Sequence, residues 1–437
     1  MKFLKSLSLP NFNKNELNYF LIFLILLNYF FGFFIREISN GAGHIDLELH
    51  IWIVINDLRE NYFETLKNYL SYSEATFPFF HSFQSIFNPA NTNYIYCLNN
   101  TILNLFIVFI FFKFLKLKKI NFENNFLIIL IPFIILLSPW FRSSSYWGMT
   151  ENFAFFFLIP SLYFLDLLIK KKISFKQNIL LSVLISLTLY ARQQYLFTAV
   201  FHILLLIMNN DKKNLFSSIF VYLILSIPGF YSLILWDAIN NLSNATSASG
   251  VLDIKNIYLN ILKISSIFFF YLIPILLINY SKIFKNFLEK KYIVVFTIIF
   301  FIKLILFNDI SYPEKGGGYL VKFTEIFLYN DPKFLIFISS VFFTFIIFSI
   351  NINNFKYFLI LPFIYMNFGF NEFLYQEWFD PLYLFILFIF FPKDLIIKLG
   401  LNKRNSIKIL LLWEFMIFLV AFFYYHKIKN LPLFYNF

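Results

Sequence analysis

Charged side chains are scarce in this chain. They make up 14% of its 437 residues, whereas 59% of the residues are hydrophobic. A soluble protein carries charge on roughly a quarter of its residues. Apolar runs of about 17–22 residues recur along the whole length, and such runs are long enough to cross the hydrocarbon of a bilayer. The sequence therefore predicts one membrane-embedded domain over residues 1–437, with no soluble domain of useful size.

Cysteine is almost absent too. The single Cys97 excludes an internal disulfide and a metal site made of cysteines. The only triple glycine, Gly316–Gly318, does not belong to a Walker A loop, since no G-K-[ST] ending occurs. No internal repeat of the kind that marks many transporters is visible. These absences leave no signature of ATP binding or of a repeat-built transporter.

The apolar runs predict an all-α polytopic membrane protein with about 13 transmembrane helices. The run centres lie near residues 26, 106, 132, 160, 184, 202, 227, 268, 300, 343, 363, 389 and 417. The first run is too long for a signal-peptide core, and no small-residue cleavage site follows it. We therefore expect a retained first helix.

The net charge of +12 lies mainly in short loops between the apolar runs. These loops are 113–119, 170–176, 211–213, 282–291 and 398–404. Lys and Arg gather in the cytoplasmic loops of membrane proteins. We expect these loops and the N-terminus in the cytoplasm, and the same rule explains the charge without a nucleic-acid partner.

The opposite face carries most of the 24 acidic residues and the long loops, which are 36–95, 239–256, 308–333 and 371–381. The charge rule counts Lys and Arg and says little about acids. The acids therefore indicate that the outer face performs the chemistry, although a solvated loop face is the alternative. The first outer loop has apolar residues at helical spacing through Leu70, which predicts amphipathic helices lying on the membrane face.

The segment GHIDLELHIW, Gly43–Trp52, follows the first helix directly. If it is helical, residues four apart share a face, so Asp46 aligns with His50 and His44 aligns with Glu48. A carboxylate at the mouth of an apolar cavity can act as a general base, because partial desolvation raises its pKa. We take Asp46 as the catalytic candidate. A juxtamembrane helix with solvated charges is the alternative; the spacing gives no tetrahedral or octahedral metal set.

Two later motifs add candidate binding residues. Glu151 follows Thr150 at the start of a predicted helix; the alternative is a purely structural role, since the helix dipole favours an acid there. The stretch ARQQY, 191–195, joins two short apolar runs, so either the bilayer is locally thin there or ARQQY lies below the outer surface and lines a cavity. Arg192 suits a phosphate. Gln193 adds amide groups that can hold sugar hydroxyls.

Two late outer loops complete the set. Lys315 and Lys322 flank the triple glycine, whose backbone N–H groups can approach an anion; a flexible hinge is the alternative. The last outer loop places Glu377 close to a helix start marked by Pro381.

The order of these motifs resembles the GT-C superfamily of integral membrane glycosyltransferases, and most closely its dolichyl-phosphate-glucose α-1,2-glucosyltransferase type. That type has an acidic-plus-His element after the first helix, an Arg-Gln step, a Lys-containing loop and a late acidic-aromatic element in the same order. Here the elements are Asp46 with His50, Arg192 with Gln193, Lys315–Tyr329 and Glu377–Asp380. Two features depart from the pattern: Asp-Leu-Glu replaces adjacent acids, and the glycine-rich stretch replaces a more acidic one.

The resemblance implies an inverting hexosyltransferase that uses a polyprenyl-phosphate sugar donor and a glycan or lipid-linked acceptor of the cell envelope. Asp46 would take the proton of the acceptor hydroxyl, and Arg192 with Lys315 or Lys322 would neutralise the departing phosphate. The remaining candidates for substrate binding are His44, Glu48, His50, Glu151, Gln193 and Glu377. Membrane lipid is a further expected partner. The mechanism needs no nucleotide or redox cofactor, and its dependence on a divalent metal is open.

Two other membrane functions are alternatives. A flippase for lipid-linked glycans would place charges inside its spans and have symmetric halves, and an O-antigen polymerase or ligase would have its large outer loop late in the chain. The composition favours a bacterial inner membrane, with the active site on the periplasmic face. The endoplasmic reticulum is the alternative, and the sequon Asn244–Thr246 lies on the outer face.

Overall fold

The computed structural model describes residues 14–39, 43–72, 77–236, 254–287, 290–307, 333–349, 355–370, 374 and 376–425. Within these ranges the chain is helical and forms no strand, which confirms the predicted all-α class. The candidate residues Lys315 and Lys322 lie outside the described residues.

The helices are numbered here in chain order. The helices of the first part of the chain are α1 (Lys14–Phe34), α2 (Gly43–Asp46), α3 (Trp52–Glu60), α4 (Tyr62–Lys67), α5 (Phe79–Phe87), α6 (Asn93–Leu117), α7 (Phe126–Ile134), α8 (Pro139–Tyr146) and α9 (Thr150–Ile169). The remaining helices are α10 (Phe175–Ala191), α11 (Phe197–Met208), α12 (Lys212–Leu235), α13 (Ile254–Phe287), α14 (Lys290–Phe307), α15 (Lys333–Ser349), α16 (Ile360–Gly369), α17 (Leu382–Phe385), α18 (Lys393–Lys398) and α19 (Arg404–Phe423).

Long apolar helices give the fold the character of a helical membrane protein. Helices α6, α9, α12 and α19, with the Asn260–Ser281 part of α13, are the five described helices that are long and apolar enough to span a membrane. Every predicted run centre lies inside a helical segment, and the number of about 13 spans stays a prediction. Some runs fold as helices too short to span, such as α11, whose 12 residues extend about 18 Å.

Helices α7 and α8 count as a sixth span only if they are taken together, because the chain bends by 68° between them. Ser138 caps α8 by accepting a hydrogen bond from the backbone N–H of Phe141 (3.1 Å), and Pro139 occupies the first turn. Proline suits a first turn, where its missing N–H costs no helical hydrogen bond. The cap therefore starts a new helix in a new direction.

A buried ion pair fixes the end of α1 against α8. The Arg142 guanidinium contacts the Glu37 carboxylate at 2.5 Å and also donates to the Asn28 side-chain oxygen at 2.6 Å. Both charged side chains are only 1% exposed. Gly32 of α1 packs directly on this pair: a Cβ there would lie 2.6 Å from both Glu37 Oε2 and Tyr146 Oη. The pair thus sets where the chain leaves α1 and enters α2.

A second buried charge cluster lies at the opposite end of the bundle. The Lys118 ammonium contacts the Asp166 carboxylate at 3.0 Å and donates to the carbonyl oxygen of Ile389 at 2.6 Å. Asp166 also pairs with Lys170 at 2.7 Å. Nearby, the Arg404 backbone N–H at the start of α19 donates to the Glu123 carboxylate. We call this end, with Lys118, Lys170 and Arg404, the basic end.

The segment between α1 and α6 folds into short helices, as the sequence predicts. Arg59 of α3 donates to the carbonyl oxygens of Asn88 (2.5 Å) and Ala90 (2.7 Å), which ties α3 to the segment after α5. The Trp236 indole N–H donates to the Leu66 carbonyl oxygen at 2.7 Å. The loop helices therefore pack on one another and on the C-terminal end of α12.

Candidate functional site

The segment after α1 is helical, which is the condition for the alignment of Asp46 with His50, but its second half is wider than an α-helix. Helix α2 continues without a break into a π-helix, Leu47–Ile51, and then into α3. π-helical turns are rare and are frequent at functional sites. Gly43 lets α2 approach its neighbour, since a Cβ there would lie 2.7 Å from the Trp147 ring.

The two acids of this segment have different surroundings. Asp46 is half-buried, whereas Glu48 is exposed. His44 is buried against the Trp147 ring, with 5.9 Å between ring centroids. Burial lowers the pKa of His44, and the charge of Glu48 opposes this change. The effect of Glu48 on His44 agrees with the prediction that these two residues share a face of the helix, which is not the face of Asp46.

An ion pair joins the start of α9 to the end of α10 beside Asp46. Arg192 Nη2 lies 2.8 Å from Glu151 Oε1, and Arg192 Nη1 donates to Thr150 Oγ1 at 2.9 Å. Glu151 is in the first turn of α9, and Arg192 follows the last turn of α10. Helix dipoles favour an acid at an N-terminus and a cation at a C-terminus, so both helices stabilise the pair.

The guanidinium keeps one unused donor. Among the described residues, the buried Nε of Arg192 has no hydrogen-bond partner. A buried donor left unpaired costs about 1–3 kcal/mol. An oxygen atom of a bound anion would remove this cost, and guanidinium groups bind phosphate at two points. The geometry therefore favours an anionic ligand at Arg192.

Burial and neighbouring charge tune the Asp46 carboxyl. Burial raises its pKa most, the charge of Glu151 raises it further, and His50 and Arg192 oppose the change, so the pKa is about 6. At neutral pH the group is then mostly a carboxylate, yet it is a stronger base than an exposed aspartate. A base with a pKa near the working pH is the most effective proton acceptor.

A short chain of contacts orients His50. Its Nδ1 lies 3.3 Å from the Tyr72 carbonyl oxygen. The Tyr72 hydroxyl donates to the Asp57 carboxylate at 2.5 Å. Since Asp57 belongs to α3, the π-helix, α3 and the following turn hold His50 on the same side as Asp46.

Four sequence-predicted site residues are therefore close together, although they come from three separate parts of the chain: Asp46, His50, Glu151 and Arg192. Gln193 is next to them, half-buried in the 3₁₀ turn Gln193–Tyr195. Glu377 lies in the 3₁₀ turn Gln376–Trp378, and only its backbone is described. The remaining two candidates, Lys315 and Lys322, lie outside the described residues.

Sequence reasoning missed two residues that hold the ion pair. Thr150 accepts from Arg192, and Ser144 donates to Glu151 Oε2 at 3.4 Å. A threonine before an acid at a helix start is a common capping pattern, so Thr150 could not be recognised as a site residue from the sequence. Asp380, in the last of the predicted outer loops, is only 1% exposed.

No group of three or more His, Cys, Asp or Glu side chains is arranged to hold a metal ion in the part of the chain that the structure describes. Comparison of the chain with protein-family models, curated proteins and solved structures gives no match. Any assignment of function therefore depends on the geometry of this site and on the order of motifs along the sequence.

Proposed function

We propose that the protein is an inverting glycosyltransferase of the GT-C type, which moves a sugar from a polyprenyl-phosphate donor to a hydroxyl of a lipid-linked glycan or another envelope acceptor. One observation carries the proposal. Asp46, a base with a pKa of about 6, lies beside Arg192, a cation with an unused buried donor. A base for the acceptor and a cation for the leaving phosphate are the two groups that the reaction needs.

Inverting transfer takes place in one displacement. The Asp46 carboxylate accepts the proton of the acceptor hydroxyl while the hydroxyl oxygen forms a bond to the anomeric carbon. The bond from this carbon to the phosphate oxygen breaks on the opposite face, and polyprenyl phosphate leaves with its electron pair. Arg192 stabilises the negative charge that develops on the phosphate. One base is enough, unlike the two carboxylates of a double displacement.

The other groups support these two. Glu151 and Thr150 hold the Arg192 guanidinium, and His50 contributes positive charge that opposes the rise in the pKa of Asp46. Gln193 is placed to bind sugar hydroxyls. In the proposed arrangement Lys315 or Lys322 adds charge at the phosphate, and the polyprenyl chain lies between the membrane helices.

The test is a donor panel on purified protein in vesicles. Polyprenyl-phosphate hexoses and the matching nucleotide sugars are supplied in parallel with extracted envelope lipids as acceptors, and labelled product is measured. We expect product from at least one polyprenyl-phosphate sugar and none from a nucleotide sugar. Product from nucleotide sugars alone would overturn the proposed donor class.

A flippase for lipid-linked glycans is the second candidate, because charged groups are buried inside apolar helices. Glu414 in α19 is fully buried, and Lys303 in α14 is 5% exposed. Such residues in membrane helices are costly and often mark a transport path. The same vesicles, loaded with a fluorescent lipid-linked glycan, separate the two functions: translocation without sugar transfer would favour the flippase.

The proposed orientation places the basic end in the cytoplasm and Asp46 on the outer face, which is the periplasmic face in a bacterial inner membrane or the luminal face in the endoplasmic reticulum. Single-cysteine labelling tests it, since the native Cys97 is buried and gives little background. Exposed Glu64 and Lys176 mark the two ends. In intact cells or sealed vesicles of native orientation, an impermeant maleimide should label Glu64→Cys directly and Lys176→Cys only after permeabilisation. The reverse pattern would contradict the orientation.

A further inference from the structure

A crevice of about 340 Å³ opens between α1, α7 and α19 at the basic end. Its volume falls in the range of roughly 300–1,000 Å³ that is typical of ligand sites. The wall is mainly apolar and includes Leu21, Leu24, Leu127, Leu130 and Leu411. Leu24 is 42% exposed, so the crevice is open along the surface of the helices. A hydrocarbon chain fits such a wall, because apolar surface favours apolar contact over water.

The polar part of the crevice is cationic. Arg404 and Lys408 of α19 both line it, together with the amides of Asn18 and Asn124. The two cations are four residues apart, which places them on one face of the helix. None of the described residues that line the crevice is acidic. The nearby Glu123 carboxylate is occupied by the backbone N–H of Arg404 at 2.8 Å.

We propose that this crevice binds one anionic phospholipid, with its phosphate on Arg404 and Lys408 and an acyl chain along the leucines of α1 and α7. The combination of a cationic pair with an open apolar wall matches a lipid that carries negative charge at one end of a hydrocarbon chain. Neutral phospholipids share the chains but lack the net charge. A soluble phosphate ester has the charge but cannot fill the apolar wall.

This site is separate from the proposed transfer site. The crevice is at the N-terminal end of α1, whereas the Asp46 segment follows its C-terminal end. The helix from Asn18 to Phe34 extends about 24 Å at 1.5 Å per residue. A failure to bind lipid would therefore not contradict the proposed sugar transfer, and a failure to transfer sugar would not contradict the proposed lipid site.

Native mass spectrometry of the full-length protein in detergent tests the site directly. Dioleoyl phosphatidylglycerol, dioleoyl phosphatidylcholine and soluble glycerol phosphate are added in separate titrations. We expect one tightly bound phosphatidylglycerol per chain. The double variant Arg404→Ala, Lys408→Ala should weaken the apparent affinity for this lipid about thirtyfold. Each basic residue close to an anionic lipid contributes about fivefold to its affinity, and the two contributions multiply.

Two controls keep the result interpretable. Lys393→Ala with Lys176→Ala removes the same charge from exposed positions away from the crevice and should leave the affinity within about twofold. Leu24→Trp fills the crevice without changing charge and should weaken binding even if the double alanine variant does not fold. Three results would each overturn the proposal. They are equal affinity for phosphatidylglycerol and phosphatidylcholine, an equal loss of affinity in the two charge variants, and an affinity for glycerol phosphate as high as that for phosphatidylglycerol.

Discussion

Replacing Asp46 with Asn should lower sugar transfer by a factor of about 10²–10⁴, the contribution typical of a general base. The amide keeps the shape of the side chain but cannot accept the acceptor's proton at neutral pH. Donor binding should change much less, because Arg192 and Glu151 remain in place. Rates and donor affinity of the variant, measured in the same vesicles, separate the two effects.

Glu48→Gln is the matched control for this substitution. It makes the same chemical change two residues away, but Glu48 is exposed and its charge acts on His44. We expect its transfer rate to stay within about threefold of the original, as an exposed charge is well screened by water. Equal losses in the two variants, or full activity of Asp46→Asn, would contradict the assignment of the base.

The same assignment predicts a pH profile. Because the pKa of Asp46 is about 6, the active carboxylate form is lost as the pH falls below that value. The ratio kcat/KM should then decrease about tenfold for each further pH unit. Glu151→Gln removes a negative charge that raises this pKa, so it should move the acid limb of the profile to lower pH. An unchanged limb would show that another group controls the rate.

The largest effect on stability is expected at Gly32. Gly32→Ala places a methyl group against Glu37 and Tyr146, which forces the buried Arg142–Glu37 pair apart. Separating a buried pair costs about 3–5 kcal/mol, because each charge loses its partner without regaining water. The gain of about 1 kcal/mol from better helix propensity does not offset this loss. Thermal unfolding in detergent should show a clear fall in the midpoint.

Gly229→Ala is the control for this experiment. It is the same change inside another helix, but the new Cβ would lie 3.2 Å from the Tyr190 hydroxyl, whereas at Gly32 the nearest groups would be within 2.6 Å. We expect a much smaller fall in the unfolding midpoint. Equal unfolding midpoints for Gly32→Ala and Gly229→Ala would contradict the close packing of α1 on the Arg142–Glu37 pair.

The sequence predicts helices well because an apolar run is a local property. The number of spans is harder to predict, because the run near residue 132 contains the Ser138–Pro139 break, and the described residues include five helices, or six with the bent pair, that are long and apolar enough to span a membrane. A hydrophobic count does not record where a helix is capped. The proline at the start of α8 was the available signal, since it both begins a helix and redirects the chain.

At the candidate site too, the sequence predicts relations between residues close along the chain but not contacts between separate helices. Helical spacing related Asp46 to His50, and the short runs around Arg192 pointed to a buried cation. The contact between Arg192 and Glu151 depends on how α9 and α10 pack, which spacing along one helix does not describe. Asp380 shows the limit most clearly, because nothing in its sequence neighbourhood indicates that the fold buries its carboxyl group.

The pairing of Arg192 with Glu151 has a thermodynamic consequence for a transferase. A donor phosphate that binds Arg192 brings negative charge near Asp46 and weakens the cation's opposing effect, so the pKa of the base rises above 6 when the donor arrives. Donor binding and protonation of Asp46 are then linked, and linkage is reciprocal. Donor affinity should increase as the pH falls through the pKa of Asp46, while catalytic competence decreases over the same range.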